Sequence, residues 1–262
     1  MIVEKTLASG MRFWIARPET LERRPTVLML HERYGPMQHT FNMVERLAGD
    51  GYVACFPDMF HRFTGDRGPI EAGQARIDPT DAETLADLDE VFAHLRTLDF
   101  VDVDHIGIAG FCLSGRTPLV FAAQRTGAAA IAIFHGGAYP RDYAGELAGQ
   151  QSVAELIPKL SCPVLGMFGE LDHLVPLANV ARFKSDLERS GLSYRIRVFA
   201  RVPHAWLNST SPKSYHAKEA DEAWKTMVGF FSEVFDGKWN TPQPRRHFEP
   251  DAAIDFNFAS TG

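Results

Sequence analysis

The feature that most constrains the fold is a regular alternation of short apolar runs with longer amphipathic stretches. The runs are rich in valine, isoleucine, leucine and phenylalanine, a pattern typical of buried strands, and the stretches between them are typical of helices. We therefore expect an α/β fold, with a mostly parallel central sheet of about seven to eight strands and helices on both faces. The predicted strands are residues 13–16, 26–31, 52–56, 105–110, 129–134, 163–168 and 194–199, and the predicted helices are 41–49, 82–98, 113–126, 176–190 and 215–235.

Two segments lack a helical or strand period. Residues 61–80 are rich in glycine, proline and charge, and residues 237–262 contain three prolines. The first segment predicts an excursion over the surface, and the second predicts an extended polar tail. The part before the tail has the size of one α/β domain, so we expect a single domain over residues 1–236 followed by a tail over 237–262.

Charge and cysteine content exclude several classes of protein. The formal net charge of −6 offers no bulk attraction for nucleic acid or anionic lipid, so neither nucleic acid nor a membrane is an expected partner. Three cysteines, an odd number in a chain of 262 residues, argue against a disulfide scaffold and favour a reducing compartment. The first residues do not resemble a signal peptide. We expect a cytoplasmic protein, monomeric or homodimeric.

The candidate nucleophile is Cys112, within the sequence GFCLSG of residues 110–115, between an apolar run and a predicted helix. A nucleophile on a tight strand-to-helix turn needs small residues two positions before it and about two after it. Gly110, Ser114 and Gly115 supply them, although glycine is usual where Ser114 stands and Gly115 comes one residue later. The start of the helix favours a thiolate, and the backbone N–H of Leu113 would face an oxyanion. The alternative is a buried structural cysteine in an ordinary turn.

Residues downstream supply the acid and the base that such a nucleophile needs, in that order. Asp172 lies in a turn after the run 163–168, where it can orient an imidazole or cap the next helix. His204 follows the last predicted strand and would take the proton of Cys112 while donating its other N–H to Asp172. Because this base must be partly unprotonated, we expect activity to fall on acidification near a histidine pKa of about 6.5.

The remaining candidates have weaker settings. Cys55 lies inside an apolar run and Cys162 at the start of another, so both are expected to be inert core thiols. His135, which precedes two glycines, is predicted to line the mouth of the site, and a purely structural turn is an equal alternative. The candidate walls of the substrate pocket are aromatic: Phe60, Phe63, Tyr139 and Trp206.

Five short motifs together resemble the dienelactone hydrolase family of α/β-hydrolases. They occur in the family's order over residues 1–235: HERYG at 31–35, FPDMF at 56–60, GFCLSG at 110–115, GELD at 169–172 and PHAW at 203–206. The resemblance implies an α/β-hydrolase fold and a Cys112–His204–Asp172 triad. It further implies that the triad cleaves esters or lactones through a covalent acyl-enzyme, which water then hydrolyses.

The resemblance also gives roles to two residues that spacing alone does not assign. In the family, the glutamate at the place of Glu32 interacts with the resting thiol and moves its proton when substrate enters. The alternative for Glu32 is a salt bridge to a neighbouring arginine. The backbone N–H of Arg33 would be the second oxyanion donor, beside that of Leu113.

One departure from the family pattern bears on the substrate. An arginine that helps the family to grip a substrate carboxylate is replaced here by Asn208. A second family arginine would correspond to Arg62, Arg67 or Arg76, which the sequence does not distinguish. Losing a charge-assisted partner removes about 1.5–3 kcal/mol of hydrogen bonding to an anion. We therefore do not expect dienelactone itself as the substrate.

Two other functions use the same residues. The triad could act on another electrophile, such as an organophosphate triester, or the chain could be a non-catalytic thiol redox sensor or ligand-binding protein. The presence of both Asp172 and His204 argues against a sensor, because sensing does not require an orienting carboxylate. No metal-ligand cluster, phosphate loop or dinucleotide fingerprint stands out, so we expect catalysis on a small ester or lactone without a cofactor or metal.

Overall fold

A computed structural model describes residues 1–256 of the chain and places nine strands of that part in a single sheet. The strand order is β1-β2-β4-β3-β5-β6-β7-β8-β9. The strands are β1 Val3–Thr6, β2 Arg12–Ala16, β3 Arg24–Leu30, β4 Val53–Pro57, β5 Val101–Phe111, β6 Ala130–Phe134, β7 Val164–Gly169, β8 Tyr194–Phe199 and β9 Arg246–Pro250. The helices are α1 Gln38–Gly49, α2 Gly68–Glu71, α3 Asp81–Leu95, α4 Thr117–Gln124, α5 Pro140–Ala144, α6 Val153–Leu156, α7 Leu177–Arg189 and α8 Ala217–Phe235.

The sheet is parallel from β4 to β9 and antiparallel at the edge formed by β1 and β2. Alternate residues of β3 enter two separate apolar clusters: Leu28 and Leu30 pack on one side, Val27 and Met29 on the other. This period of two is what a strand buried on both faces requires. The first cluster is covered by helices including α3, α4 and α7, and the second by α1 and α8. The predicted α/β fold with helices on both faces is confirmed.

The longest helix of the first face begins where its sequence provides a cap. Thr80 accepts a hydrogen bond from the backbone N–H of Glu83, and the Glu83 carboxylate accepts one from the backbone N–H of Thr80. This reciprocal pair satisfies two donors that a helix start leaves unpaired. It fixes the start of α3 at Asp81, and the buried stripe that includes Leu88, Val91 and Leu95 follows from there.

The sheet is wider than expected, because β1 and β9 were not predicted. β1 has four exposed residues, and β9 contains three charged or imidazole-bearing residues, so neither has the apolar content that marks an inner strand. β9 lies inside the segment for which an extended tail was expected, and it pairs in parallel with β8. Phe248 of β9 packs against the first apolar cluster. The end of the predicted tail, residues 257–262, lies outside the described residues.

Within residues 1–256, no helix is long and apolar enough to cross a membrane. The parallel strands instead bring their carboxyl ends to one edge of the sheet, and the loops that follow them carry the residues of interest. Glu32 follows β3, Cys112 follows β5, His135 follows β6, Asp172 follows β7 and His204 follows β8. The topology alone therefore gathers these side chains at one edge.

Candidate active site

Cys112 lies on a sharp turn between β5 and a short 3₁₀ segment, Cys112–Arg116, that leads into α4. Its φ of 54° is in the left-handed region, which a residue with a side chain adopts only when its surroundings impose it. Gly110 allows the bend, because a Cβ there would lie 2.2 Å from the carbonyl oxygen of Ser114. The turn therefore has the geometry expected of a nucleophile elbow.

Ser114 stands where glycine is usual, and its hydroxyl forms hydrogen bonds with the backbone. Its Oγ accepts a hydrogen bond from the backbone N–H of Phe111 at 3.0 Å. The same oxygen lies 3.0 Å from the carbonyl oxygens of Phe111 and of Leu30, to one of which its hydrogen is donated. Ser114 therefore links the turn to the end of β3, two residues before Glu32.

The loop after β6 packs directly against the turn that carries Cys112. A Cβ at Gly136 would lie 2.0 Å from the carbonyl oxygen of Cys112, and one at Gly115 would lie 2.7 Å from the Cα of Gly136. Two backbone segments thus meet at a separation that only glycine permits.

We expect Gly136→Ala to displace the turn that carries Cys112. The overlap is with backbone atoms, which cannot rotate away, so the free energy of unfolding is expected to fall by about 1–3 kcal/mol. Activity per folded molecule is expected to fall as well. Gly229→Ala is the matched control, because a Cβ on this α8 residue meets no atom within 4 Å. Urea unfolding of both variants tests the prediction, and equal stabilities would contradict it.

The three predicted triad residues form one continuous chain of contacts. Nδ1 of His204 lies 2.8 Å from Oδ2 of Asp172, and Nε2 of His204 lies 3.2 Å from Sγ of Cys112. The other carboxylate oxygen of Asp172 accepts hydrogen bonds from the backbone N–H groups of Leu174 at 2.9 Å and Val175 at 3.2 Å. Asp172 is 2 % exposed. The orienting and the loop-capping roles expected for Asp172 are therefore compatible, since each oxygen has its own partners.

The environment of His204 favours its protonated form. Burial lowers the pKa, but hydrogen bonds to Asp172 and Cys112 outweigh it and raise the pKa of His204 to about 10. The folded protein therefore favours the imidazolium through the neutral range. The pH dependence of activity expected from the structure therefore differs from the one expected from the sequence. The sequence predicted a loss of activity at acidic pH, set by a histidine of ordinary pKa.

We expect the pH profile of kcat/KM for a neutral ester to show no inflection near the ordinary histidine pKa of about 6.5. It is expected to fall on the alkaline side as pH rises through the His204 pKa of about 10. The physical reason is that deprotonation of the imidazolium removes the acid that protonates the leaving alcohol. A profile measured with one uncharged substrate tests this, and an acid limb centred at a pH of about 6.5 would contradict it.

The other two thiols differ from Cys112 in their surroundings. Cys55 and Cys162 are buried in the first apolar cluster. Burial raises the pKa of both thiols, that of Cys162 to about 12. A thiolate, not a thiol, is the reactive form, so both are held unreactive. Cys112 instead lines a cavity and touches an imidazole.

We expect iodoacetamide to modify one thiol of the native protein, Cys112, and to reach Cys55 and Cys162 only after unfolding. Intact mass measured against time in native buffer and in denaturant gives the number of modified thiols. Cys112→Ala is the control and is expected to take up no label while folded. Labelling of Cys55 or Cys162 in native Cys112→Ala protein would contradict the prediction.

Cys112 is one of the residues that line a cavity of about 330 Å³. Both predicted oxyanion donors, Arg33 and Leu113, line it, as does Tyr139. The lining residues are Arg33, Arg76, Cys112, Leu113, Tyr139, Pro140, Arg141, His173 and Leu174. A volume of this size accommodates a small-molecule substrate.

The four candidate substrate-binding residues lie in different places. The Tyr139 hydroxyl is in the site, 3.6 Å from Sγ of Cys112 and 3.1 Å from the carbonyl oxygen of His135. Phe60 and Trp206 belong to the two apolar clusters, and neither lines the cavity. His135 is buried behind the site, with its ring 4.7 Å from that of His204 and 5.2 Å from that of Trp206. The sequence did not reveal which of these side chains line the cavity and which are buried in the core.

Glu32 has partners that the sequence did not indicate. Oε1 lies 3.3 Å from Nε2 of His135, and Oε2 accepts a hydrogen bond from Nδ2 of Asn208 at 3.1 Å. Within residues 1–256, no arginine lies within 4.0 Å of this carboxylate, so the salt bridge to an arginine, which was the alternative for Glu32, is not formed. Burial raises the pKa of Glu32, but the hydrogen bond from His135 and the nearby imidazoles give a net lowering. Glu32 is therefore a buried, charged carboxylate.

The chain matches the model of the dienelactone hydrolase family over residues 11–235. The chain belongs to the dienelactone hydrolase family. A relative from Escherichia coli O157:H7, named "Putative carboxymethylenebutenolidase", is 29% identical over 241 residues, 87% of this chain and 84% of the relative. A protein of the same name from Methylorubrum extorquens is 29% identical over 220 residues, 79% of this chain and 71% of the relative.

Solved structures support the same placement. The structure of a protein titled putative dienelactone hydrolase, from Klebsiella pneumoniae, matches with a TM-score of 0.80 and 26% identity, over 89% of this chain and 98% of that one. A dienelactone hydrolase-like promiscuous phosphotriesterase from metagenomic libraries shares the fold, with a TM-score of 0.71 and 21% identity over 89% and 98% of the two chains. As a member of the dienelactone hydrolase family, this chain is a hydrolase that acts on ester or lactone bonds.

The cavity of this dienelactone hydrolase-family member carries charges that the sequence did not single out. Of the three candidates for the second family arginine, Arg76 lines the cavity, whereas Arg62 pairs with Asp87 and Arg67 with Asp58. Arg141, in the loop region after β6, also lines it. Among residues 1–256, no group of three or more histidine, cysteine or acidic side chains is arranged to hold a metal ion.

Proposed function

We propose that this dienelactone hydrolase-family protein cleaves a small ester or lactone with Cys112 as nucleophile, His204 as acid and base, and Asp172 as the residue that orients His204. The observation that carries the proposal is the unbroken contact chain from Asp172 through His204 to Sγ, at 2.8 Å and 3.2 Å, beside a cavity of about 330 Å³. A thiolate paired with an imidazolium is a strong nucleophile with a proton donor beside it.

The reaction follows from these positions in two steps. The Cys112 thiolate attacks the acyl carbon, and the backbone N–H groups of Leu113 and Arg33 bind the oxyanion. The C–O bond then breaks, and the leaving alkoxide takes its proton from the His204 imidazolium. In the second step His204 takes a proton from water, which attacks the thioester. The C–S bond breaks, the acid leaves, and the thiolate–imidazolium pair is restored.

The charges of the cavity favour a substrate that is negatively charged. Among residues 1–256, the charged side chains that line it include Arg33, Arg76 and Arg141 and no acidic residue. Asp78 lies beside two of them, with oxygen-to-nitrogen distances of 2.6 Å to Arg76 and 3.4 Å to Arg141, and Asp142 lies 3.8 Å from Arg141. Three guanidinium groups therefore have two carboxylates beside them, and the local sum stays positive. The replacement of the family's arginine by Asn208 thus removes one guanidinium while three others face the cavity. We infer that the substrate can carry a carboxylate close to the acyl group.

Two chromogenic esters of matched leaving group test this proposal, 4-nitrophenyl acetate and the mono-4-nitrophenyl ester of succinate. Turnover of both is expected, with a higher kcat/KM for the anionic ester. Arg141→Ala is expected to lower kcat/KM by about tenfold or more for the anionic ester only, the effect of one lost charge-assisted hydrogen bond. Arg125→Ala is the control, because Arg125 pairs with Asp89 on the exposed surface.

Each part of the proposal has its own contradicting outcome. Equal effects of Arg141→Ala on both esters would contradict a charged substrate but leave the hydrolase chemistry standing. Failure to turn over any ester or lactone would contradict the hydrolytic triad. A phosphotriester added to the same panel, with the mass of any adduct on Cys112, distinguishes phosphoryl from acyl transfer. Peroxide oxidation of Cys112 in a protein that hydrolyses nothing would favour the thiol sensor.

A further inference from the structure

The loop that carries His204 has an unusual backbone. We call residues 200–205, which follow β8, the base loop, and residues 170–176, which follow β7 and contain Asp172, the acid loop. Arg201, with φ 57°, and Ala205, with φ 61°, lie on either side of His204 in the base loop. Residues with a side chain adopt this left-handed region only when their surroundings impose it. The contacts around the base loop therefore determine where the His204 ring lies.

The acid loop packs directly against the base loop. The backbone N–H of Leu171 donates a hydrogen bond to the carbonyl oxygen of Val202 at 3.0 Å. A Cβ at Gly169, the last residue of β7, would lie 2.4 Å from the same oxygen. Only glycine permits such an approach. The backbone of the loop that carries the acid is thus in contact with the backbone of the loop that carries the base.

Two carboxylates bind consecutive N–H groups at the start of the base loop. Oδ2 of Asp251 accepts a hydrogen bond from the backbone N–H of Ala200 at 2.8 Å. Oε2 of Glu170 accepts one from the backbone N–H of Arg201 at 2.7 Å. Hydrogen bonds to a charged acceptor are stronger than those to a neutral one. Glu170 belongs to the acid loop and Asp251 follows β9, so carboxylates hold the base loop from two sides.

Asp251 is itself fixed by residues of β8. Its backbone N–H donates to the carbonyl oxygen of Val198 at 2.9 Å, and its Oδ1 lies 3.1 Å from Nη1 of Arg197. Nη1 of Arg197 also donates to the carbonyl oxygen of Glu249 at 2.7 Å, and Nη2 pairs with Glu222 of α8. The Arg197 side chain is 15 % exposed. A mostly buried guanidinium with three acceptors has a fixed position, and it fixes the carboxylate of Asp251 as well.

The segment after α8 lies beyond the part of the chain that matches the family model, which ends at residue 235. β9 and Asp251 belong to this segment. The family match therefore assigns no role to it. Its hydrogen bond to the base loop joins residues 51 positions apart, and that of Glu170 joins residues 31 positions apart. These two contacts indicate a role for the segment in the active site.

We propose that Glu170 and Asp251 are positioning residues that hold the base loop, so that the segment after α8 helps to set the position of His204. Both residues act on His204 through the backbone of the loop. The proposal rests on the proposed function for its effect on hydrolysis. The contact of His204 with Sγ also controls the reactivity of the Cys112 thiol, and this second effect needs no substrate.

Glu170→Ala and Asp251→Ala each remove one hydrogen bond to the base loop. A displacement of about 1 Å at an active site costs about 100-fold in rate, so we expect kcat for 4-nitrophenyl acetate to fall by about 10- to 100-fold in each variant. KM is expected to change less than kcat, because neither residue is among those that line the cavity. Both constants are measured per folded molecule.

Glu170→Gln is the variant that restores the contact. Glutamine keeps an oxygen that accepts from the backbone N–H of Arg201. Within residues 1–256, the other oxygen of Glu170 has no hydrogen-bond partner that an NH₂ group would displace. We therefore expect Glu170→Gln to keep most of the wild-type kcat.

The rate of Cys112 alkylation by iodoacetamide, measured from about pH 5 to pH 9, is the second readout. An imidazolium that is displaced from Sγ stabilises the thiolate less, so the rate at neutral pH is expected to fall in both alanine variants and to persist in Glu170→Gln. The titratable groups that face the His204 ring are those of Cys112, Asp172, His135, Glu32 and Tyr139. All of them are present in every variant, so a change in the profile reports the position of His204.

Glu249→Ala is the matched control. It removes a carboxylate of β9 that lies 3.8 Å from Arg195 and makes no hydrogen bond to the base loop within residues 1–256, and it keeps the carbonyl oxygen that binds Arg197. We expect it to leave kcat and the alkylation rate unchanged. Urea unfolding of every variant measures stability separately from these two readouts.

The outcomes separate a positioning role from a structural one. Lower stability in Glu170→Ala and Asp251→Ala, with wild-type kcat and alkylation in the folded molecules, would overturn the proposal. Equal losses of kcat in Glu170→Gln and Glu170→Ala would overturn it too. If no ester or lactone is hydrolysed, the proposed function fails and the alkylation rates alone decide the proposal. If Asp251→Ala does not fold, Asp251→Asn takes its place, and its neutral acceptor is expected to lower both readouts less but in the same direction.

Discussion

Cys112→Ala is expected to lower kcat/KM for 4-nitrophenyl acetate by about 10⁴-fold or more, because it removes the sulfur that forms the acyl-enzyme in the proposed mechanism. The residual rate would come from the oxyanion donors and from binding, which the substitution leaves in place. The fold is expected to persist, since the turn depends on Gly110, Ser114 and Gly136 and not on the sulfur.

Cys162→Ala is the matched control for this substitution. It also removes a buried sulfur, but from the first apolar cluster and not from the turn after β5. Its kcat/KM per folded molecule is expected to equal that of the wild type. Initial rates at matched folded concentration, with circular dichroism as the check on folding, measure both variants. A Cys112→Ala protein that keeps more than about 1% of wild-type kcat/KM would contradict the nucleophilic role.

Asp172→Asn is expected to lower kcat by about 10⁴-fold while leaving the shape of the site intact. Oδ1 of Asp172 accepts from the N–H groups of Leu174 and Val175, so an asparagine must keep its oxygen there and turn its NH₂ group towards His204. Nδ1 of His204 would then accept a hydrogen bond, which places the ring hydrogen on Nε2. A ring in that form donates to Sγ and cannot take its proton.

Asp99→Asn is the control, because this side chain is exposed and precedes β5, at the opposite end of that strand from Cys112. We expect it to leave kcat unchanged. The Cys112 alkylation rate at neutral pH is expected to fall in Asp172→Asn together with kcat, since the imidazolium loses the carboxylate that stabilises it. A decrease of less than about tenfold in kcat would show that Asp172 stabilises its own loop and does not orient His204.

The sheet, and the loops that carry the three proposed triad residues, could be predicted because they depend on local sequence. Apolar runs marked seven of the nine strands, and the parallel topology then placed the loops that follow them at one edge. Cys112, Asp172 and His204 each lie in a segment that directly follows one of these strands. The edge strand β9 could not be predicted in this way, because its residues are only half-buried and it gains order by pairing with β8.

The partners of Glu32 and the walls of the cavity could not be predicted, for a different physical reason. The contact of Glu32 with Asn208 joins residues 176 positions apart, and no periodicity records such a pairing. Trp206 and Phe60 are themselves the last residues of two motifs, but the local turns point their rings into the core. Arg141 carries no motif. Its place on α5 next to Tyr139 is visible only once the loop after β6 is folded over the turn of Cys112.

The most direct test of Cys112 as the nucleophile is the mass, during turnover, of the peptide that contains Cys112. The protein is mixed with 4-nitrophenyl acetate, quenched in acid within the first turnovers, digested and analysed by mass spectrometry. We predict an acetyl group on the peptide that contains Cys112, formed as fast as the first equivalent of nitrophenol and absent from Cys112→Ala. Steady release of nitrophenol with no acyl group on Cys112, or with the acyl group on another residue, would contradict it.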